Sequence, residues 1–156
     1  MNVDYLPLVK NAVKKFYSRD IELINKNLCE RCLVHRIAVY LETSGELDGY
    51  FVDCEFNKAY YDDKVNNKVL SNVNGNYVDI IVHKRSNSLG ENLLCFELKR
   101  AGNTRDTYKD RENLKILTGD EFMYKMGFYI ILGKTYNTSK LEVYENGGLI
   151  NSFTLT

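Results

Sequence analysis

Apolar residues recur along this chain with two different periods, and the switches between them divide it into helical and extended stretches. Leu6, Val9, Val13 and Phe16/Tyr17 are spaced as one helix face over residues 5–17, with Asp4 placed to cap it and the single proline, Pro7, near its start. A longer helical pattern spans Asp20 to Glu42, with a break expected near Asn25-Lys26-Asn27 and a stripe of Val34, Ile37, Ala38 and Leu41 in its second half. Thr43-Ser44-Gly45 ends it. The period then drops to two: Tyr50 to Phe56 alternates as a strand, with Phe51, Asp53 and Glu55 on one face and Val52, Cys54 and Phe56 on the other. Residues 57–76 are polar, rich in Asn and Lys and without period, and predict a long loop. Tyr77–Lys84 and Asn92–Arg100 are short β-rich apolar runs joined by a turn-forming loop, so they predict a buried hairpin. Thr104 is placed to cap a helix from Arg105 to Leu117, and Tyr124–Gly133 reads as a fully buried strand. Lys140–Tyr144 and Leu149–Thr154, around Asn146-Gly147-Gly148, predict a terminal hairpin. This order predicts a mixed central β-sheet flanked by helices, in the α/β or α+β class. Residues 1–156 are expected to form one domain: N-terminal helices over 5–42, core sheet and helix over 50–133, and a C-terminal hairpin over 140–155.

The central hairpin carries charges where a buried strand pair should not. Asp79 and Glu97 are symmetric about Ser88, so an antiparallel pair folded there sets them opposite one another on one face. Lys99 lies two residues on and shares that face. Two carboxylates with Cβ atoms roughly 5 Å apart repel unless a proton or a cation lies between them. The trio therefore reads as a divalent-metal site. Its structural alternative is an ion pair of Lys99 with Asp79 or Glu97, which leaves one carboxylate without a partner.

Charge elsewhere modifies this picture only in part. The chain carries no formal net charge, which excludes a polycation that coats nucleic acid by charge alone. The distribution is uneven: net +4 over residues 10–36, −6 over 42–63 and +3 over 84–115. Basic stretches thus flank the hairpin, compatible with an anionic substrate. The cations of the following helix, Arg105, Lys109, Arg111 and Lys115, can either hold phosphates or form a solvated helix face. Stepping back along the apolar stripe from Val34 reaches Glu30, either a polar margin residue paired with Lys26 or a carboxylate turned toward the core. His35 reads as a surface or packing residue, and Asp53 and Glu55 as the solvent face of an edge strand or a further source of metal ligands. Cys29 and Cys32 form a CxxC with no second cysteine pair or histidine pair to complete a zinc site. With Cys54 and Cys95 in apparent strands, buried thiols in a reducing cytoplasm are expected. No signal peptide or membrane-spanning run is expected from the pattern.

Strand, Asp79, hairpin, Glu97-Leu98-Lys99, helix and strand together resemble the PD-(D/E)XK nuclease superfamily, the restriction-endonuclease-like fold, over roughly residues 28–133. Val78 stands where the signature has proline. The resemblance implies a metal-dependent nuclease that hydrolyses phosphodiester bonds, with DNA expected before RNA. Asp79, Glu97 and the backbone carbonyl of Leu98 would bind Mg²⁺ or Mn²⁺, an oxygen-ligand set. Lys99 would position or activate the attacking water and offset charge on the phosphate. Glu30 matches the helix glutamate that completes the metal site in many members, and Arg100, Arg105, Lys109 and Arg111 are the candidates for contact with nucleic acid. A homodimer or a partner protein is compatible with the near-neutral charge. The alternative is a nuclease-like nucleic-acid-binding or protein-interaction module without catalysis, and in either case no membrane is involved.

Overall fold

Leu8, Val9, Ala12, Val13 and Phe16 are all buried, and this one-sided stripe seats the first helix, α1 (Leu6–Arg19), on the rest of the chain. Tyr5, not Asp4, occupies the cap position and makes no side-chain cap bond, but Asp4 Oδ1, one residue earlier, accepts the Leu6 N–H at 2.9 Å and so satisfies one orphan donor at the helix start. The second helical pattern resolves into α2 (Ile21–Asn25) and α3 (Glu30–Glu42). Asn27 between them has a left-handed backbone (φ 54°), which ends the first helix at the predicted break. In α3 the stripe Leu33, Val34, Ile37, Ala38 and Leu41 is buried.

The computed structural model describes residues 4–56, 59–61, 64–66, 78–86 and 88–156. Its main sheet has six strands in the order β1 (Phe51–Phe56), β4 (Val78–His83), β5 (Asn92–Arg100), β6 (Met126–Leu132), β7 (Lys140–Glu145), β8 (Gly148–Thr154). Every neighbouring pair is antiparallel except β5 and β6, which run parallel and are connected through α4 (Thr107–Thr118). The class is therefore a mixed sheet flanked by helices, as the element order predicts. Where residues 57–76 predict a loop, Ala59–Tyr61 (β2) and Lys64–Asn66 (β3) pair as a separate two-stranded ribbon. The rest of that expectation, like Tyr77, lies outside the described residues. The helix after the hairpin also starts later than expected. The Arg105 N–H is taken by Asn103 Oδ1 at 3.1 Å, and Asp106 (φ 59°), not Thr104, precedes the first helical residue.

The sheet separates two apolar layers. Ile80, Val82, Phe96, Leu98, Phe128 and Ile130 project toward α1 and α3, with the Phe96 and Phe128 rings stacked at 5.3 Å. Ile81, Cys95 and Tyr129 project the other way, onto Leu114 and Leu117 of α4. Close approach of α4 to the sheet depends on Gly127. A Cβ there would stand 3.0 Å from Thr118 Cγ2, 3.2 Å from Cys95 Sγ and 3.3 Å from Leu114 Cδ2. Gly127→Ala is expected to destabilise the fold by about 1–3 kcal/mol through overpacking, read as a lower urea midpoint at unchanged slope. At the far edge, Asn146 (φ 49°) and Gly147 (φ 76°) supply the paired positive φ angles of a two-residue hairpin turn between β7 and β8. No helix among the described residues is long and apolar enough to cross a membrane.

Candidate active site

The β4–β5 register settles where the hairpin charges meet. Ile80 pairs with Phe96, Ile81 with Cys95 and Val82 with Leu94, a ladder centred on Ser88. Extending it by one pair sets Asp79 opposite Glu97, on the face that α4 covers. Asp79 Oδ2 accepts the Leu98 N–H at 2.7 Å, which ties the carboxylate to the strand beside it. Glu97 is buried, only 3% exposed, and hydrogen-bonds with Asp79, while Asn113 Nδ2 donates to its Oε1 at 3.1 Å.

Lys99 does not neutralise that pair. Its ammonium sits 3.1 Å from Asp110 Oδ2, and both side chains are 13% exposed. The ion pair of Lys99 with Asp79 or Glu97 is thus replaced by one with a residue of α4. Tyr129, one strand over, donates its hydroxyl to the same Asp110 oxygen at 3.3 Å. Two carboxyl groups are left facing each other inside the protein with the nearest ammonium held by a third.

The electrostatic consequences follow from that arrangement. Burial pushes the Asp79 carboxyl up to about 6, against the pull of the Leu98 N–H. Burial, reinforced by Asp79 and Asp110, raises Glu97 well above the carboxylate range, so Glu97 keeps a proton that Asp79 loses first. Burial lowers the affinity of Lys99 for its proton, but Asp110 overrides this and holds the ammonium above its ordinary value.

These groups line a cleft of about 160 Å³ that also takes in Glu30, Asp106 and Lys109. Glu30 reaches it from the first turn of α3. Its Oε2 accepts the Arg100 N–H at 3.0 Å and its Oε1 accepts Asn103 Nδ2 at 2.6 Å. Lys26 pairs with Glu22 at 3.5 Å rather than with Glu30, because the left-handed Asn27 breaks the helix between Lys26 and Glu30 and puts them on different helices. Glu30 is therefore a cleft residue and not a marginal one.

The remaining candidates fall elsewhere. Arg100 extends its guanidinium to Asn27 Oδ1 and the Leu28 carbonyl, clamping the end of β5 to the α2–α3 turn. Arg105 is exposed beside the cleft. Arg111 turns away to a two-pronged pair with Glu142, 2.7 and 2.9 Å at the closest approaches, and lies over the Tyr129 ring. Asp53 binds His83 and Arg85, and Glu55 binds Arg31 at 2.8 Å, all along the edge strand β1. His35 is exposed. The expectation of buried thiols holds only for Cys95; Cys29 and Cys54 are exposed and Cys32 is half-buried, because one pair sits at a helix entrance and Cys54 on an edge strand.

Asp110, Asn113 and Tyr129 complete the site without having been singled out by the sequence. The signal was present: Asp110, Asn113, Leu114 and Leu117 are spaced i, i+3, i+4, i+7 and are all buried, so two polar residues occupy an apolar stripe.

The acceptors gathered in the cleft are all oxygens, the atom type that hard cations take. They are the two adjacent carboxyls, the peptide oxygens of β5, and Asn113 Oδ1, a buried acceptor without a hydrogen-bond partner among the described residues. No cluster of three or more His, Cys, Asp or Glu side chains suited to a metal is found among the described residues. No family model matches the chain, and no curated protein or solved structure matches it either.

Proposed function

We propose that the protein is a nuclease of the PD-(D/E)XK type, hydrolysing phosphodiester bonds in nucleic acid with Mg²⁺ or Mn²⁺ bound by Asp79, Glu97 and the Leu98 carbonyl. The observation that carries this reading is the half-buried Asp79 beside the buried Glu97, neither of them ion-paired among the described residues, since Lys99 is bonded to Asp110. Such a pair costs stability once both members are ionised, unless a cation replaces the proton that burial leaves on Glu97. A bound divalent ion would supply Lewis-acid polarisation of the phosphoryl group and a water acidified toward neutral pH.

The chain's own residues have separable tasks in this scheme. Asn113 fixes the orientation of Glu97 through its amide N–H. Asp110 holds the Lys99 ammonium at the cleft, protonated at neutral pH, where it offsets negative charge building on the phosphate in the transition state. Lys109 at the cleft wall and the exposed Arg105 would take flanking phosphates, whereas Arg111 is engaged by Glu142. Preference for DNA over RNA rests on the family resemblance.

Incubation with single- and double-stranded DNA, RNA and branched junctions, in Mg²⁺, Mn²⁺ or EDTA, tests the proposal. Cleavage in either metal, none in EDTA, and none by Asp79→Ala of confirmed fold is the expected result. Cleavage that persists in EDTA would reject the metal-dependent scheme. Absence of both cleavage and Asp79-dependent Mn²⁺ binding would leave the fold as a binding module.

A further inference from the structure

The turn between α2 and α3 carries a second reactive group that phosphodiester hydrolysis does not use. Cys29 caps α3 in an extended conformation (φ −62°, ψ 150°), Cys32 lies in the first turn, and their Sγ atoms are 3.3 Å apart. Cys29 is exposed and Cys32 half-buried, so one thiol meets solvent and the other waits behind it. A disulfide is about 2.05 Å long, so closure requires little more than an ångström of approach within one helical turn. A zinc site would need further ligands, and no cluster of three or more candidate ligands exists among the described residues.

We propose that Cys29 and Cys32 form a reversible thiol–disulfide couple that exchanges with a small disulfide of the glutathione class. The Cys29 thiolate attacks one sulfur of the small disulfide, giving a mixed disulfide and one small thiolate, which takes up the proton Cys29 gave up. Cys32, losing its own proton, attacks Cys29 Sγ; the second small thiolate leaves and takes that proton. Two protein thiols are oxidised to one disulfide, and one small disulfide is reduced to two thiols. Division of labour follows exposure: the solvent-facing Cys29 meets the small disulfide first, and the half-buried Cys32, 3.3 Å away, resolves it.

The couple lies on the segment that grips the end of β5. Asn27 Oδ1 and the Leu28 carbonyl accept from the Arg100 guanidinium, and Glu30 accepts from the Arg100 N–H. Oxidation therefore cross-links the turn whose contacts reach the residue next to Lys99. The couple itself rests on thiol geometry alone and stands whether or not the protein cleaves nucleic acid.

The full chain, equilibrated across a series of reduced and oxidised glutathione ratios, acid-quenched and then trapped with a maleimide in denaturant so that the buried Cys95 also reacts, tests it by intact mass and peptide mapping. The expected result is loss of two of the four thiols together, a trapped mass lower than that of the fully reduced chain by two maleimide adducts and two hydrogen atoms, and one internal Cys29–Cys32 peptide, all reversed when dithiothreitol precedes trapping. Cys29→Ser, which keeps a good helix cap, and Cys32→Ser should each abolish the paired loss, and Cys54→Ser should leave it intact. Four maleimide-reactive thiols across the whole series, or glutathione adducts on Cys29 or Cys32 with no internal disulfide, would overturn the proposal.

Discussion

Asp79→Asn is expected to stabilise the metal-free protein at pH 8 by up to about 3 kcal/mol while ending hydrolysis, a pairing of effects that few structural substitutions produce. The gain follows from linkage. A carboxyl moved from its ordinary 3.8 to about 6 in the folded state binds its proton more tightly there than in the unfolded chain. Its contribution to stability is complete below the unfolded value and is lost as pH rises through about 6. Glu97, raised further, extends the loss to higher pH. The metal-free protein should accordingly melt at progressively lower temperature from pH 4 to pH 8. The carboxamide introduced by Asp79→Asn keeps an oxygen for the Leu98 N–H and adds a donor toward Glu97, removing the repulsion without opening a cavity. Melting temperature should rise by roughly 6–10 °C at pH 8 and little at pH 4. Mg²⁺ or Mn²⁺ should raise the melting temperature of the unsubstituted protein at pH 8, less so at pH 5, and not that of the variant. Calorimetry across pH, with and without metal, measures all of this. An Asp79→Asn protein destabilised equally at pH 4 and pH 8 would show that the carboxylate pair carries no such electrostatic cost.

Lys99→Ala is expected to lower kcat on the cleaved substrate about 10²–10³-fold, the scale for removing a positioned group that meets transition-state charge. Its fold should survive, since the side chain lies at the cleft and not in either apolar layer. Asp110→Asn separates positioning from packing. It preserves shape and the capacity to accept from Tyr129, but withdraws the negative charge that keeps Lys99 protonated. The alkaline limb of the pH–rate profile should move to lower pH, with a smaller fall in kcat than in Lys99→Ala. An unmoved limb with a reduced rate would assign Asp110 a structural part only. Full activity in Lys99→Ala would remove the lysine from the reaction.

The hairpin half of this site was legible because antiparallel strands convert sequence symmetry into spatial contact. The turn centre at Ser88 suffices to oppose positions 79 and 97, and the observed ladder keeps that centre up to the irregularity between Val82 and His83. Glu30 was legible for a different reason, as a carboxylate on the line of an apolar helical stripe. The same criterion identifies Asp110 and Asn113, but in a helix dense with charge their polarity reads as solvation. Only the close seating of α4 at Gly127 shows that this part of the helix is inside. Which cation pairs with which anion was not legible at all. Lys99 is equally near Asp79 and Glu97 in the strand pattern, and its actual partner comes from a helix whose angle against the sheet no periodicity encodes. The surface position of Cys29 depends likewise on the left-handed turn at Asn27.

The two faces of the sheet have unequal freedoms. The layer under α1 and α3 is largely apolar, with the Tyr17 hydroxyl and buried Ser139 a polar contact beside it, whereas the layer under α4 borders the cleft that holds the carboxylates, the lysine and Asn113. Substitutions that improve the first layer can accumulate without touching the cleft, and each gain there enlarges the tolerance for charge beside the second. The chain is in this sense a scaffold with a reserve. Variation in the residues around Asp110 and Asn113 can reshape the cleft while Phe16, Ile37 and Phe96 on the opposite side keep the molecule folded.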